Sequence, residues 1–376
     1  MAEYTPIDDP SAFFNAVAYT GDGSSDHAIT FPGNSDLQPD LLWYKSTSHT
    51  SSHILYDTSR GVDLFLTVNT TAKDKTDAQM LESFDSNGFT LNGDTDGNRS
   101  GGKHIAFGWK VNGGTTANAT ATAGNGQSNA SVTQVNSTSK CSIFTYSGSS
   151  NTYPRIKHNL GTKADFYIIK CRSQGPGSAM NWMVYHKDSA ANPERTAGIL
   201  NDTSSPMADN TTFWAAEDMG ENGTITMGGA AQVWYNGEDF IGYAFAEVQG
   251  FSRFGRYKGN GQTNGNGPFV WCGFKPKWLM IKPNSGGVAN WLIFSNTLAV
   301  DGDAGDGNQT NVMDDYLAAN TTGQRGASST VQIDFVSGGF KIRGNNVTNF
   351  GNTNYVFMAF AERPFVSGTG VPGVAV

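Results

Sequence analysis

Gly97-Asn98-Arg99-Ser100-Gly101-Gly102-Lys103 has the glycine and lysine spacing of a phosphate-binding loop. His104 stands where that chemistry needs a Ser or Thr for magnesium, and a strand pattern follows where a helix N-terminus is required. The stretch therefore reads as a turn. Two aspartate-rich loops come next. Asp301-Gly302-Asp303-Ala304-Gly305-Asp306 and Asp94-Thr95-Asp96-Gly97-Asn98 gather the oxygen ligands that hard cations prefer, without the spacing of an EF-hand. Asp301, Asp303 and Asp306 are the candidate metal ligands, for calcium; no other cofactor is expected. Six histidines, at 27, 49, 53, 104, 158 and 186, form no zinc-type spacing, and there is no Gly-x-Ser-x-Gly elbow. Glu247 and Glu362 each close a matched strand, which suits an ion pair better than the acid/base pair of a glycosidase. The expectation is a protein that is not an enzyme.

Aromatic side chains are the remaining chemistry. Many of the 8 Trp, 13 Tyr and 23 Phe fall in a repeated pattern and read as core. Trp214, Trp234, Tyr235 and Phe350 fall outside it. Trp214, Trp234 and Tyr235 are the candidate binding residues, as an exposed patch able to stack on sugar rings.

The elements that would position these groups recur three times. Tyr19-Thr20-Gly21, Tyr146-Ser147-Gly148 and Tyr257-Lys258-Gly259 each lead to an apolar run closed by one lysine: Lys45, Lys170 and Lys282. A middle segment follows, starting at His53, Trp182 and Trp291. Each copy ends on a matched strand, Ile105 to Trp109, Ile241 to Phe245 and Val356 to Phe360. Large side chains fall on every second residue of these strands, a period of two. Helical pattern is confined to Lys73–Phe84 and Met313–Ala319. The fold class expected is all-β, three tandem antiparallel β-sandwich, jelly-roll-like repeat domains. Their expected bounds are 13–110, 141–248 and 252–365. An N-terminal arm (1–12), a linker (111–140) without charged or aromatic side chains at 111–139, and a C-terminal tail (366–376) lie outside them. The short junction between copies two and three suggests that these two pack together, with copy one more independent.

Composition narrows the function classes. Charged residues are 15% of the chain, below the roughly 25% of an average soluble protein, and glycine reaches 46 of 376. A net charge of −8 argues against nucleic-acid binding. No apolar run approaches the roughly 18 residues of a bilayer span, so membrane insertion is not expected. Met1-Ala2-Glu3-Tyr4 lacks the basic start of a signal peptide, which suggests assembly in a cytoplasm. Cys141, Cys171 and Cys272 sit at unmatched repeat positions and read as buried free thiols.

Four strings carry a family resemblance: Phe254-Gly255-Arg256-Tyr257-Lys258-Gly259-Asn260-Gly261, Gly267-Pro268-Phe269-Val270, Gly273-Phe274-Lys275-Pro276 and Met358 to Phe365. Copy one adds Asp9 to Phe14, Gly33 to Asp40 and Ser59-Arg60-Gly61. Together they resemble repeat-domain virion structural proteins, tail-fibre or appendage-like, of marine and cyanobacterial tailed phages, over residues 4 to 365. Copy two, with Asn159-Leu160-Gly161, diverges most. The resemblance implies a virion structural protein, first a tail-associated fibre or adhesin in host attachment. A capsid decoration or head-fibre protein is the alternative, and a carbohydrate-binding protein or glycan hydrolase comes after both. It implies other virion proteins and a host-surface glycan or protein as partners, and a homo-oligomer on the particle.

Overall fold

The computed structural model describes residues 4–111, 117–119, 131–150, 154–173, 180–205, 212–215, 223–263, 265–286, 288–298 and 311–372. The two-residue alternation becomes strands almost everywhere, and the chain is all-β with antiparallel sheets. Three large sheets follow one order of pairing. The first runs Phe14–Thr20, Lys103–Trp109, Leu41–Ser46, Ile54–Asp57, Gly61–Thr67 and Lys75–Thr76. The third repeats it with Ser252–Lys258, Asn354–Pro364, Phe274–Pro283, Leu292–Ser295, Asp315–Ala318 and Gly326–Ala327. The second orders Cys141–Ser147, Asp239–Phe245, Phe166–Cys171, Met183–His186 and Gly198–Ile199 in the same way.

Each large sheet is covered on one face by a small one. These are His27–Ile29, Gly88–Leu91 and Leu81–Asp85 in the first unit, and Phe269–Trp271, Gly339–Ile342 and Ile333–Val336 in the third. Arg155–Lys157 pairs with Thr224–Thr226 in the second. Small residues of the large sheets make room there: Gly108 lies against Phe31, and Gly242 against the ring of Phe144. The opposite faces carry the bulk. Ile105, Phe107 and Trp109 meet Ile241, Tyr243 and Phe245, and Met358 and Phe360, in a single shared core.

This arrangement corrects the expected independence of copy one. Its Trp109 packs on Trp278 at 5.8 Å and its Phe107 on Trp278 at 6.1 Å, so the three units bury their broad apolar faces on one another. A sheet buried on both faces explains the unbroken burial of Leu41–Ser46, Phe166–Cys171 and the middle of Asn354–Pro364.

Matched residues stitch the seams in a cycle. Trp182 of the second unit donates Nε1–H to the Thr67 carbonyl of the first at 3.1 Å, and Trp291 of the third to Ile199 of the second at 2.8 Å. His53 of the first closes the ring on the Ala318 carbonyl of the third at 3.1 Å. Its tautomer follows from geometry: Trp43 donates to Nδ1, so Nε2 carries the proton. Beneath each lies the same local fixture, as Asn69, Asn201 and Asn320 accept from the backbone N–H of His53, Trp182 and Trp291.

Three further expectations change. Lys73–Phe84 and Met313–Ala319 hold strands (Lys75–Thr76, Leu81–Asp85, Asp315–Ala318), because cross-strand pairing outweighs a weak helical spacing. Within the expected arm, the described residues 4–12 do not stand apart from the core: Thr5, Ile7 and Pro10 are buried, Ile7 fills the shared core, and Pro10–Ala12 is a 3₁₀ turn. Nor is 111–140 a plain linker. Ser131–Asn136 pairs along Cys141–Ser147 and extends the second large sheet, with Ala117–Ala119 beyond it. Gln134 ties this strand to the first unit: it donates to Ser59 Oγ at 2.7 Å and accepts from Thr58 at 3.1 Å. That pairing, together with the backbone ladder, holds Ser131–Asn136 in place without charges or rings.

Candidate functional site

Most titratable side chains that repeat across the units are spent on the seams. Lys45, Lys170 and Lys282 end buried strands and are themselves buried. Lys170 donates to the carbonyls of Met180 (2.6 Å) and, across the seam, Thr71 (3.0 Å). Lys282 donates to Ala289 (2.6 Å) and, across its seam, Thr203 (2.9 Å). Lys45 turns instead to Ser46 and Ser51 of its own unit. Burial draws all three ammonium groups down to a pKa of about 8.

Between the first two units lies a buried ionic network. Arg60 pairs with Asp57 at 2.7 Å and with Asp74 at 3.0 Å, while Tyr243 donates to Asp57 at 2.7 Å and Arg172 to Asp74 at 2.8 Å. Positive and negative groups balance, and the contacts saturate them. Between the second and third, His186 donates Nε2–H to the Phe357 carbonyl at 3.0 Å and accepts from Asp188 N–H at 3.1 Å. Burial holds its pKa down at about 4. Glu247 takes Lys187 (2.7 Å) and Arg253 (3.1 Å), and Glu362 takes Lys275 (3.1 Å), the ion pairs their spacing suggested.

The aspartate loops resolve differently. Asp301, Asp303 and Asp306 lie outside the described residues. Asp94 caps the turn Thr95–Asn98 by accepting from Asp96 N–H at 2.7 Å, so its oxygen serves the backbone. Among the described residues no three His, Cys, Asp or Glu side chains gather as a metal set.

Two of the three candidate binding residues are core. Trp214 is fully buried, edge-on to Tyr167 at 4.9 Å, with Nε1–H on the Thr196 carbonyl at 3.1 Å. Trp234 is 6% exposed and stacks on Tyr146 at 5.8 Å. Its position explains its burial. Tyr19, Tyr146 and Tyr257 each donate to the carbonyl of one residue, Gly97, Val233 and Thr348. The next residue clamps the loop after the first strand of its unit: Asn98 in the first, Asn349 in the third and Trp234 in the second, through Nε1–H to Ser149 at 3.1 Å. Of the three, only Tyr235, at 42% exposure, faces solvent. The proposed patch does not exist.

A different aromatic pair is exposed. Phe269 and Trp271, at 51% and 52% exposure, point outward from the edge strand of the third small sheet while Val270 between them points in. Their cross-strand neighbours are Lys341 and Gly339. Glycine is required beside Trp271, since a Cβ on Gly338 would meet its ring at 2.3 Å. Asp334, buried opposite Lys341, takes the guanidinium of Arg343. Arg343 also walls a cleft of about 640 Å³ lined by Thr263, Gly265, Ser329, Thr330, Gln332 and Asn345. Sequence reasoning missed this pair because Phe269 lay inside a recognisable string and was counted with it.

Register assigns the equivalent positions elsewhere. Val270 pairs with Phe340 as Ile29 pairs with Phe89 and Ile156 with Ile225. The outward neighbours are Ala28 and Thr30 in the first unit, Arg155 and Lys157 in the second, and Phe269 and Trp271 in the third. The faces differ most where the sheets agree.

Fold and face together define an all-β, sandwich-like protein whose three sheet systems share one core and whose third presents an aromatic edge. The chain belongs to the family described as a domain of unknown function (DUF7483), which matches residues 9–364 and so takes in all three units at once. No curated protein sequence matches it.

Proposed function

We propose that this chain is a structural protein of a phage particle, tail-associated, that contributes to attachment to the host surface and performs no catalysis. The observation that carries the reading is the contrast between seams and faces. Matched residues lock three units into one body, while outward positions of the small sheets vary and one of them carries exposed rings. A rigid body with one differentiated contact face suits recognition, and three related units on one chain, multiplied over a particle, suit multivalent contact. The resemblance to virion repeat proteins points the same way. Its partners are then neighbouring virion proteins and a host glycan or protein, with several copies of the chain on each particle.

A second reading, capsid decoration, is favoured by the cyclic seams: a chain with internal threefold pairing matches a threefold position on a shell. Gold-labelled antibody on intact particles separates the two. Label at the tail, together with blocked adsorption when purified protein is added to host cells, supports attachment. Label on the head moves the protein to decoration, and unlabelled particles remove it from the virion.

A further inference from the structure

We infer that the outer face of the third small sheet, from Trp271 and Phe269 to the cleft beyond Arg343, is a binding site for a neutral polysaccharide. This names the ligand class for the attachment role proposed above.

Phe269 and Trp271 are two residues apart on one strand, so they leave the same face from backbone positions about 7 Å apart and offer two apolar surfaces side by side. Each is half exposed, where a ring of that size normally seeks cover. Trp271 is held in place from both sides: its ring lies against Gly338 and meets Phe365 edge-on at 5.0 Å. A fixed ring loses little freedom when a sugar stacks on it.

The polar half of the site begins where the rings end. Gly265 leaves room for the guanidinium of Arg343, which a Cβ there would meet at 2.5 Å. Asp334 neutralises Arg343, and Lys341 is tied to the Gly267 carbonyl, so neither cation is offered whole to an anion. Beyond them the cleft presents, beside the apolar Val312, Thr263, Ser329, Thr330, Gln332 and Asn345, whose hydroxyl and amide groups both donate and accept. Rings followed by neutral hydrogen-bonding groups match the apolar faces and hydroxyls of an uncharged sugar chain. An acidic polymer would meet a chain of net charge −8. The first unit lacks the rings at these positions and the second carries Arg155 and Lys157, so the site belongs to the third unit alone.

The test is affinity electrophoresis of the full chain through gels containing laminarin, dextran, mannan or galactan, with alginate as the charged polymer. Retardation by at least one neutral polymer is expected. Phe269→Ala with Trp271→Thr installs the residues that the first unit already carries at these positions, so folding is preserved. It should weaken binding about tenfold or more, while Tyr235→Ala leaves binding unchanged. No retardation by any neutral polymer, retardation by alginate alone, or binding that survives the double variant overturns the site. Sedimentation of the same proteins covers the remaining occupant: self-association lost in the double variant assigns the face to a second copy and also overturns it. Adsorption blocking by the wild-type protein is read separately, so failure of the glycan site leaves the attachment reading standing, and failure of attachment leaves the site standing.

Discussion

Phe14 and Phe360 stack with ring centroids 5.0 Å apart and 26° between their planes. One belongs to the first large sheet and the other to the last strand of the third, so the beginning and end of the chain close the same core. Truncating either side of that contact, or the seam residue Trp182, should weaken the whole body rather than one unit. Phe14→Ala and Trp182→Ala are each expected to cost about 3–5 kcal/mol. Denaturant unfolding followed by fluorescence and by far-ultraviolet circular dichroism should give one coincident transition. A first unit that melts alone, leaving the other two native, would refute the shared core as a cooperative unit.

Acid should destabilise the protein through its buried histidines. Burial holds His186 at about 4, His104 and His158 at about 3, and His53 well below its usual value, against about 6.5 in an unfolded chain. Between pH 6.5 and 4 the unfolded chain binds protons that the folded one refuses, so stability falls as pH falls through that window. Charging His186 also removes the lone pair that receives Asp188 N–H. His186→Gln should flatten the slope of unfolding free energy against pH by one proton; an unchanged slope would place His186 outside the transition.

The three buried lysines that close the repeated strands work in the opposite pH range. Each titrates at about 8 in the folded chain and near 10.4 in the unfolded one. Between those values the unfolded chain keeps the proton, so each lysine adds stability as pH rises from 8 to 10.4. Burial raises the pKa of Cys141, Cys171 and Cys272, which pulls the other way from about pH 8.5 upward, so the comparison must be made against a variant. The stability difference between wild type and Lys170→Met should move in favour of wild type from pH 8 to pH 10. A difference independent of pH would mean that Lys170 is solvated.

Arg60→Ala leaves Asp57, wholly buried, without its cation and should cost about 3–5 kcal/mol. Arg253→Ala, at a half-exposed ion pair, should cost under about 1 kcal/mol. Equal losses in chemical denaturation would show that the network beside Tyr243 is open to water.

Much of the fold was legible in the sequence, and the reason is periodicity. Ile105, Phe107 and Trp109 alternate with Ala106 and Gly108, and the large set does share one face. What that face meets was not legible, because alternation reports which residues lie together and not across from what. Leu42 and Tyr44 are as apolar as Leu41 and Trp43, which marks a strand covered twice, and the column His53, Trp182, Trp291 held the seam in view without a partner. Strand Ser131–Asn136 was invisible for another reason: its pairing is backbone, and Gln134 and Thr133 look like linker residues. Trp234 misled because an odd residue at a repeat position reads as exposed, whereas it replaces Asn98 and Asn349 in a buried clamp.

Deleting Ser131–Asn136 should therefore lower the melting temperature by several degrees and bare the edge of Cys141–Ser147, which invites pairing with another chain. Calorimetry with light scattering checks both effects. Unchanged melting without association would return the segment to the role of a spacer.

The cyclic seams have one more consequence, and it concerns inheritance. In a ring of three identical chains every substitution appears three times, so a residue that improves one face is imposed on the others and on every seam. Here the ring is closed within one polypeptide, and each position is written by its own codon. His53 can stand for a tryptophan at one seam, and Phe269 with Trp271 can arise on one face while Arg155 with Lys157 arises on another. A symmetric architecture is thereby free to acquire an asymmetric surface, one face at a time, without disturbing the joints that hold it together.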